Sequence, residues 1–412
     1  MILQSPVPTD SPHPQWICCQ LGAREHYAVP RALLRQGRLS RLITDAWMPP
    51  DSPLQALPGE RSQRLSERFH PELDGKTTDF TWSLVANELR WRAQSLGGWQ
   101  LFMARNRWFQ HRAASALRDL RGQHVVFAHS YAAREIFEHA RQRGWRCVLG
   151  QIDPGERHFA VVDQAIRLAP DYGPPPPSPP AEYFQHWRQE CALADHIVVN
   201  SEWSRQCLQE AGVPAPKIAI APLAYEAEQP AAEPRDYPSR FTTGRPLRLL
   251  FVGHVTVAKG IKPLLEATAL LPDAPIQLTV VGERSARIPA AHLADPRIHW
   301  VGAVSRREVM RHYQAADVLV FPSYSDGFGM AQIEAQGWRL PVVASPHSGR
   351  VVSDGINGVL LPEVTAEAIA GAVRDLLADP HRLAEFSRAS GVEPGQGLNA
   401  LGHALIGIEA RA

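Results

Sequence analysis

Three stretches of this 412-residue chain place reactive side chains at telling intervals. In Phe251-Val-Gly-His-Val-Thr-Val-Ala-Lys-Gly260, an apolar run ends at Gly253 and Lys259 follows six residues later. A strand that turns on a glycine and feeds a helix gathers a cation and helix-end N–H groups at one point, which seats a phosphate. A surface lysine in an ordinary loop has the same local pattern, because glycine turns before helices are common. Only four residues are lysine (Lys76, Lys217, Lys259, Lys262), against 39 arginines, so a lysine in this position carries more weight.

The second stretch runs from Phe321 to Ala344. A strand ends near Pro322, a loop follows with Asp326, Gly327, Phe328 and Gly329, and a helix opens at Met330 with Glu334 just past its first turn. Backbone amides near Gly329 and Met330 then lie at a helix N-terminus and can receive a phosphate. Glu334 repels an anion but can accept hydrogen bonds from a ribose diol. It is also well placed simply to complement the helix dipole. The third stretch is Val125-Val-Phe-Ala-His129-Ser-Tyr-Ala-Ala, with a histidine at a strand end. One of 17 histidines in such a place is commonly a hydrogen-bonded structural residue, so His129 by itself does not decide between structure and chemistry.

These residues need elements to hold them. Short apolar runs predict strands at 16–21, 124–129, 146–150, 196–200 and 218–221, then again at 247–252, 277–281, 318–322 and 341–344. Helical patterns lie between them, at 182–193, 201–211, 262–271, 305–315, 330–337 and 364–378. Strands alternating with helices predict an α/β chain with parallel sheets. The alternation occurs twice, around a polar, proline-rich stretch at 226–245 that suits a linker. Two Rossmann-like domains facing each other across a cleft follow, at 16–235 and 246–388. Residues 1–15 read as a disordered leader and 389–412 as a tail packing back on the first domain.

Composition narrows the class. The 43 basic and 42 acidic side chains leave a formal charge of +1, which argues against a nucleic-acid partner held by a broad basic surface. No apolar window approaches a membrane span, and the N-terminus has no secretory pattern, so a cytoplasmic protein is expected. The five cysteines have no zinc-type spacing and read as free thiols. No metal ligand set is expected. Residues 87–121 interleave arginines with Trp91, Trp99, Phe102, Trp108 and Phe109. One reading is an amphipathic surface for a lipid headgroup or anionic acceptor, giving peripheral membrane contact. The other, favoured by aromatic stripes at helical spacing, is a helix pair packed on its own domain.

Asp326 and Glu334, eight apart, resemble the E-x7-E motif of the family 4 retaining glycosyltransferases. The surrounding FPSYSDGFGMAQIEAQGWRLPVVAS is similar to that family's signature, FVGHVTVAKG to its FVGR-x4-KG, and 192–224 to the end of its N-terminal domain. The resemblance covers roughly 16–385 and is strongest in the C-terminal half. It implies the GT-B fold and a metal-independent transfer of a sugar, with retention, from a nucleoside diphosphate sugar to a glycan, lipid-linked or small-molecule acceptor. No cofactor beyond that donor is implied.

Residue by residue, the resemblance implies that Lys259 contacts the diphosphate, Glu334 the ribose, and the amides near Gly329 and Met330 the phosphates. It puts Gly22 in a loop facing the diphosphate and His129 and Asp326 beside the donor sugar. The family commonly has arginine where this chain has His254, and the first acid is Asp rather than Glu. Arg248 and Arg284 are the candidates to supply the missing charge. Three alternatives stay open: a catalytically degenerate nucleotide-binding subunit, a nucleotide-sugar epimerase, and a nicotinamide-dependent oxidoreductase. Leu21-Gly22-Ala-Arg-Glu-His lacks the full G-x-G-x-x-G that the last would want.

Overall fold

The computed structural model describes residues 13–53, 67–226, 233–392 and 394–409. Most of the expected leader, and 227–232 of the expected linker, lie outside the described residues.

The first half builds one sheet. In chain order its elements are β1 (Gln15–Gln20), α1 (Ala28–Arg35), β2 (Leu39–Thr44), β3 (Thr77–Asp79), α2 (Thr81–Ala93), α3 (Gly98–Leu117) and β4 (His124–His129). Then come α4 (Arg134–Gln142), β5 (Arg146–Gly150), α5 (Glu156–Arg167), α6 (Ala181–Leu193), β6 (His196–Val199), α7 (Glu202–Glu210) and β7 (Ile218–Ile220). The strands pair in the order β3-β2-β1-β4-β5-β6-β7, and the pairings are parallel. A parallel sheet covered on both faces needs apolar side chains on both, which is why Val125–Ala128 is a continuous apolar run and is buried throughout. Ser201 starts α7 by accepting from the Ser204 amide at 3.1 Å.

The second half repeats the plan. It runs β8 (Leu247–Val252), α8 (Ile261–Ala269), β9 (Ile276–Val281), α9 (Ala290–Leu293), β10 (Ile298–Gly302), α10 (Arg306–Ala315) and β11 (Val318–Phe321). It continues with α11 (Met330–Gly337), β12 (Val342–Ala344), β13 (Gly358–Leu360), α12 (Ala366–Ala378), α13 (Pro380–Ala389) and α14 (Leu398–Glu409). The strand order is β10-β9-β8-β11-β12-β13. A capping box on Ser305 and Glu308 fixes the start of α10.

In both sheets the order reverses at one place, between β1 and β4 and between β8 and β11. Ligands of open parallel sheets bind beyond the carboxyl ends of the strands at that reversal. The stretches singled out from the sequence flank these two points: Gly22 and His129 on one, Gly253 and 322–330 on the other.

The halves are joined by more than a linker. Residues 235–245 are anchored on the second sheet. The Arg235 guanidinium donates to the carbonyls of Tyr313 (2.6 Å), Ala316 (2.8 Å), Trp338 (2.9 Å) and Gln314 (3.0 Å), and Phe241 is buried in that core. From the first half, Ala165, Ala169 and Tyr172 enter the same core. At the far end, α14 lies on α1, with Leu398, Leu401, Leu405 and Ile408 in a core shared with β1 and α1. Glu409 there accepts from Arg38 at 2.6 Å and from the Trp16 indole at 3.0 Å.

Candidate active site

The β8–α8 turn is built on two glycines. Gly253 turns the chain at φ 146° and its amide donates to the Val281 carbonyl at 3.0 Å. Thr256 caps the following turn, and Gly260 ends it in the left-handed region at φ 75°. A Cβ on Gly260 would lie 1.9 Å from the Pro322 carbonyl oxygen. Glycine is therefore required twice over, for its dihedral and for the approach of two backbones. That approach presses the lysine loop against the loop after β11. Lys259 Nζ forms an ion pair with Asp326 Oδ2 there. The other Asp326 oxygen accepts from the Phe328 amide at 3.2 Å.

The first half of the chain faces this pair. A Cβ on Gly327 would lie 3.1 Å from the Ile152 carbonyl, and the Gly327 carbonyl is 3.4 Å from the Ser204 hydroxyl. The Trp203 indole donates to Ser325 at 3.0 Å. His158, on α5, feels the charges of Asp153, Asp326 and Lys259; burial nevertheless lowers its pKa, and its Nδ1 has no hydrogen-bond partner among the described residues. His158 stands out only once the halves are packed together, so no local pattern marks it.

Phe328 is buried, and its carbonyl accepts from the Gly349 amide at 2.8 Å. Gly329 holds φ 83° at the start of α11, and no side chain caps that helix. The Gln332 amide donates to the Gly329 carbonyl at 3.0 Å, so of the first turn the Met330 and Ala331 amides are the ones that face a ligand or solvent. One turn on, Glu334 accepts from the Tyr313 hydroxyl at 2.8 Å. Glu334 and Tyr313 line an open cleft with Tyr225, Arg306, Val309, Met310 and Trp338. Arg306 reaches across to the first half, 2.7 Å from His26.

His129 ends β4, at the other switch point. It lines a small recess with Glu25, Gln151, Asn200 and mainly apolar neighbours. Its ring lies beside the Gly150 backbone and meets the Phe127 ring edge-to-face at 5.1 Å. Burial, helped by the Arg24 charge, lowers its pKa to about 3, so the imidazole is neutral at physiological pH. Gly22 is in the loop after β1, but its amide is taken by Asp45 at 2.9 Å. The loop continues through Glu25, His26 and Tyr27, three consecutive non-glycine residues at φ 49°, 49° and 60°.

His254 is exposed and lies 2.5 Å from the Ser285 hydroxyl. Arg248 cannot substitute for a cation there. It stands at the opposite end of β8, held by Asp317 at 3.1 Å. Arg284 is in the neighbouring loop, with its guanidinium 5.9 Å above the Trp300 ring.

Residues 246–379 match the group 1 glycosyl transferases. Among curated relatives, a D-inositol 3-phosphate glycosyltransferase of Kineococcus radiotolerans is 32% identical over 257 residues, covering 55% of this chain and 59% of that protein. One from Arthrobacter is 34% identical over 198 residues, covering 44% and 46%. The matches thus span little more than half of these relatives at most. The fold is GT-B. Anabaena HepE in complex with UDP-glucose superposes with a TM-score of 0.62 at 13% identity, covering 97% of this chain and 100% of that one. Sucrose-phosphate synthase of Thermosynechococcus elongatus gives 0.66 at 18% identity, covering 96% and 98%.

Proposed function

We propose that this protein transfers a sugar, with retention at the anomeric carbon, from a nucleoside diphosphate sugar to a hydroxyl of a glycan, lipid-linked or small polyol acceptor. The observation that carries the reading is the Lys259–Asp326 pair at the β8/β11 switch point of a group 1 domain. Transfer breaks the bond between the anomeric carbon and the diphosphate, which leaves with the electron pair; the acceptor oxygen bonds the anomeric carbon, and its proton passes to the departing phosphate. Lys259 and the first-turn amides of α11 oppose that growing charge without rearranging. Binding a diphosphate gives Lys259 a stronger anion than Asp326, and Asp326 is then released toward sugar hydroxyls. Glu334, already a hydrogen-bond acceptor in a cleft walled by Tyr225, Met310 and Trp338, suits a ribose diol with its base against the apolar wall. The neutral His129 can exchange hydrogen bonds with a sugar hydroxyl without attracting the diphosphate.

HepE's complex with UDP-glucose makes uridine donors the first to try, and the curated relatives make inositol phosphates the first acceptors. The test is proton NMR of product formed from UDP-glucose and related donors with an acceptor panel. The expected result is an axial anomeric linkage from an axial donor. An inverted linkage would overturn retention. Free epimerised sugar and nucleotide without acceptor would replace the reading with an epimerase.

A further inference from the structure

We propose that the outer face of α2 docks this protein on an anionic lipid bilayer. The arginine- and aromatic-rich stretch divides when folded. Trp91 and Phe109 turn inward and are buried, Trp91 meeting Trp108 edge-to-face at 6.1 Å. That part is a packed helix pair. The opposite face of α2 does not follow. Trp82 is 64% exposed, Leu89 62% and Val85 36%, with Ala86 and Ala93 exposed on the same side. Positions 82, 85, 86, 89 and 93 form one stripe at helical spacing. An apolar stripe facing outward on a helix already packed by its other side marks an interaction surface.

Charge selects the occupant. Arg90 and Arg92 are exposed beside the stripe and make no ion pair or hydrogen bond through their side chains among the described residues. The one carboxylate of α2, Glu88, is neutralised by Arg105 at 2.6 and 2.7 Å. The face is therefore apolar and net positive. An aromatic at one end with unpaired arginines alongside suits the headgroup zone of an anionic leaflet, where ring and guanidinium each find their preferred medium. α2 starts two residues after β3, the edge strand of the first sheet. The described helices include none long and apolar enough to cross a bilayer.

The proposal does not depend on the transferase reading, and flotation with vesicles tests it. Vesicles of phosphatidylcholine with about 30% phosphatidylglycerol supply the anionic surface, and pure phosphatidylcholine the control. Wild type is expected to float with the anionic vesicles and to be released by about 0.5 M salt. Arg90→Glu/Arg92→Glu is expected to bind at least about 30-fold more weakly. Trp82→Ser/Leu89→Ser is expected to lose about 10-fold or more. Both pairs change exposed side chains, so an unchanged thermal midpoint shows that each variant is folded. Failure of wild type to float, or equal flotation of wild type and both variants, would overturn the proposal. So would light scattering that shows a wild-type dimer abolished by Trp82→Ser/Leu89→Ser without flotation; the face would then seat a second copy of this chain.

Discussion

The β8/β11 and β1/β4 switch points occupy equivalent places in two similarly wound sheets, yet they are made of different materials. At the first, Gly253, Gly260 and Gly329 make the turns, and a lysine and a carboxylate meet across them. At the second, Glu25, His26 and Tyr27 make a left-handed turn without glycine, and the side chain at the strand end is a histidine held neutral by burial. A left-handed residue with a Cβ costs roughly 1–2 kcal/mol, so this turn persists because its surroundings impose it. Tyr27, fully buried, packs edge-to-face with Trp47 at 5.4 Å and supplies part of that constraint. The contrast teaches that topology selects where a ligand lies and composition selects what it is. Close backbone approach plus a cation favours phosphate; a mainly apolar lining around a neutral histidine favours the neutral part of a substrate.

The largest effect should come from the charged side. Lys259→Ala is expected to lower kcat/KM for sugar transfer about 100- to 1,000-fold, with Lys259→Arg recovering part of it, by steady-state kinetics. Equal loss from His129→Asn would erase the proposed division of labour. Next comes Gly260→Ala. A Cβ 1.9 Å from the Pro322 oxygen forces the two loops apart, and a loss of about 3 kcal/mol is expected in urea unfolding. Gly22→Ala, with nothing within 4 Å of its Cβ, should lose less, through its φ of 80° alone.

The neutral side is tested by pH. The His129 pKa is lowered in the folded state to about 3, from an unfolded value near 6.5. The unfolded chain therefore binds the extra proton, and the contribution to stability is lost as pH falls below about 6.5 toward 3. Relative to wild type, His129→Asn should gain about 2 kcal/mol between pH 7 and pH 5. No such gain would mean that His129 titrates normally. The smallest effect expected is from Tyr313→Phe. Removing the hydroxyl that donates to Glu334 should weaken nucleotide binding by several-fold, with little change in kcat.

What the sequence disclosed follows the same contrast. The loops after β8 and β11 were legible because glycine, lysine and acid recur there at fixed intervals beside apolar runs. Strands such as Val318–Phe321 and Val125–Ala128 were legible because a strand buried on both faces leaves an unbroken apolar run. Residues whose meaning depends on distant partners were not. Glu190 on α6 is fully buried and accepts from the amides of Tyr131 (2.6 Å), Ala133 (2.8 Å) and Arg134 (3.2 Å), so it caps α4 from 55 or more residues away. His158 gains its neighbours only when α5 meets the second sheet. Arg248 looked available near Gly253, but strand direction puts it at the other end, where Asp317 claims it. The outward stripe of α2 was hidden because residues 82–93 are apolar toward both the domain and the outside.

The central claim is that the β8/β11 switch point holds a nucleoside diphosphate through Lys259 and Glu334. Calorimetric titration of UDP, with NADH as the contrasting ligand, into wild type, Lys259→Ala and Glu334→Gln tests it most directly. The account predicts that UDP binds wild type, that Lys259→Ala weakens it about 100-fold, and that Glu334→Gln weakens it less. Equal UDP affinity in all three proteins, or wild type binding NADH and not UDP, would contradict it.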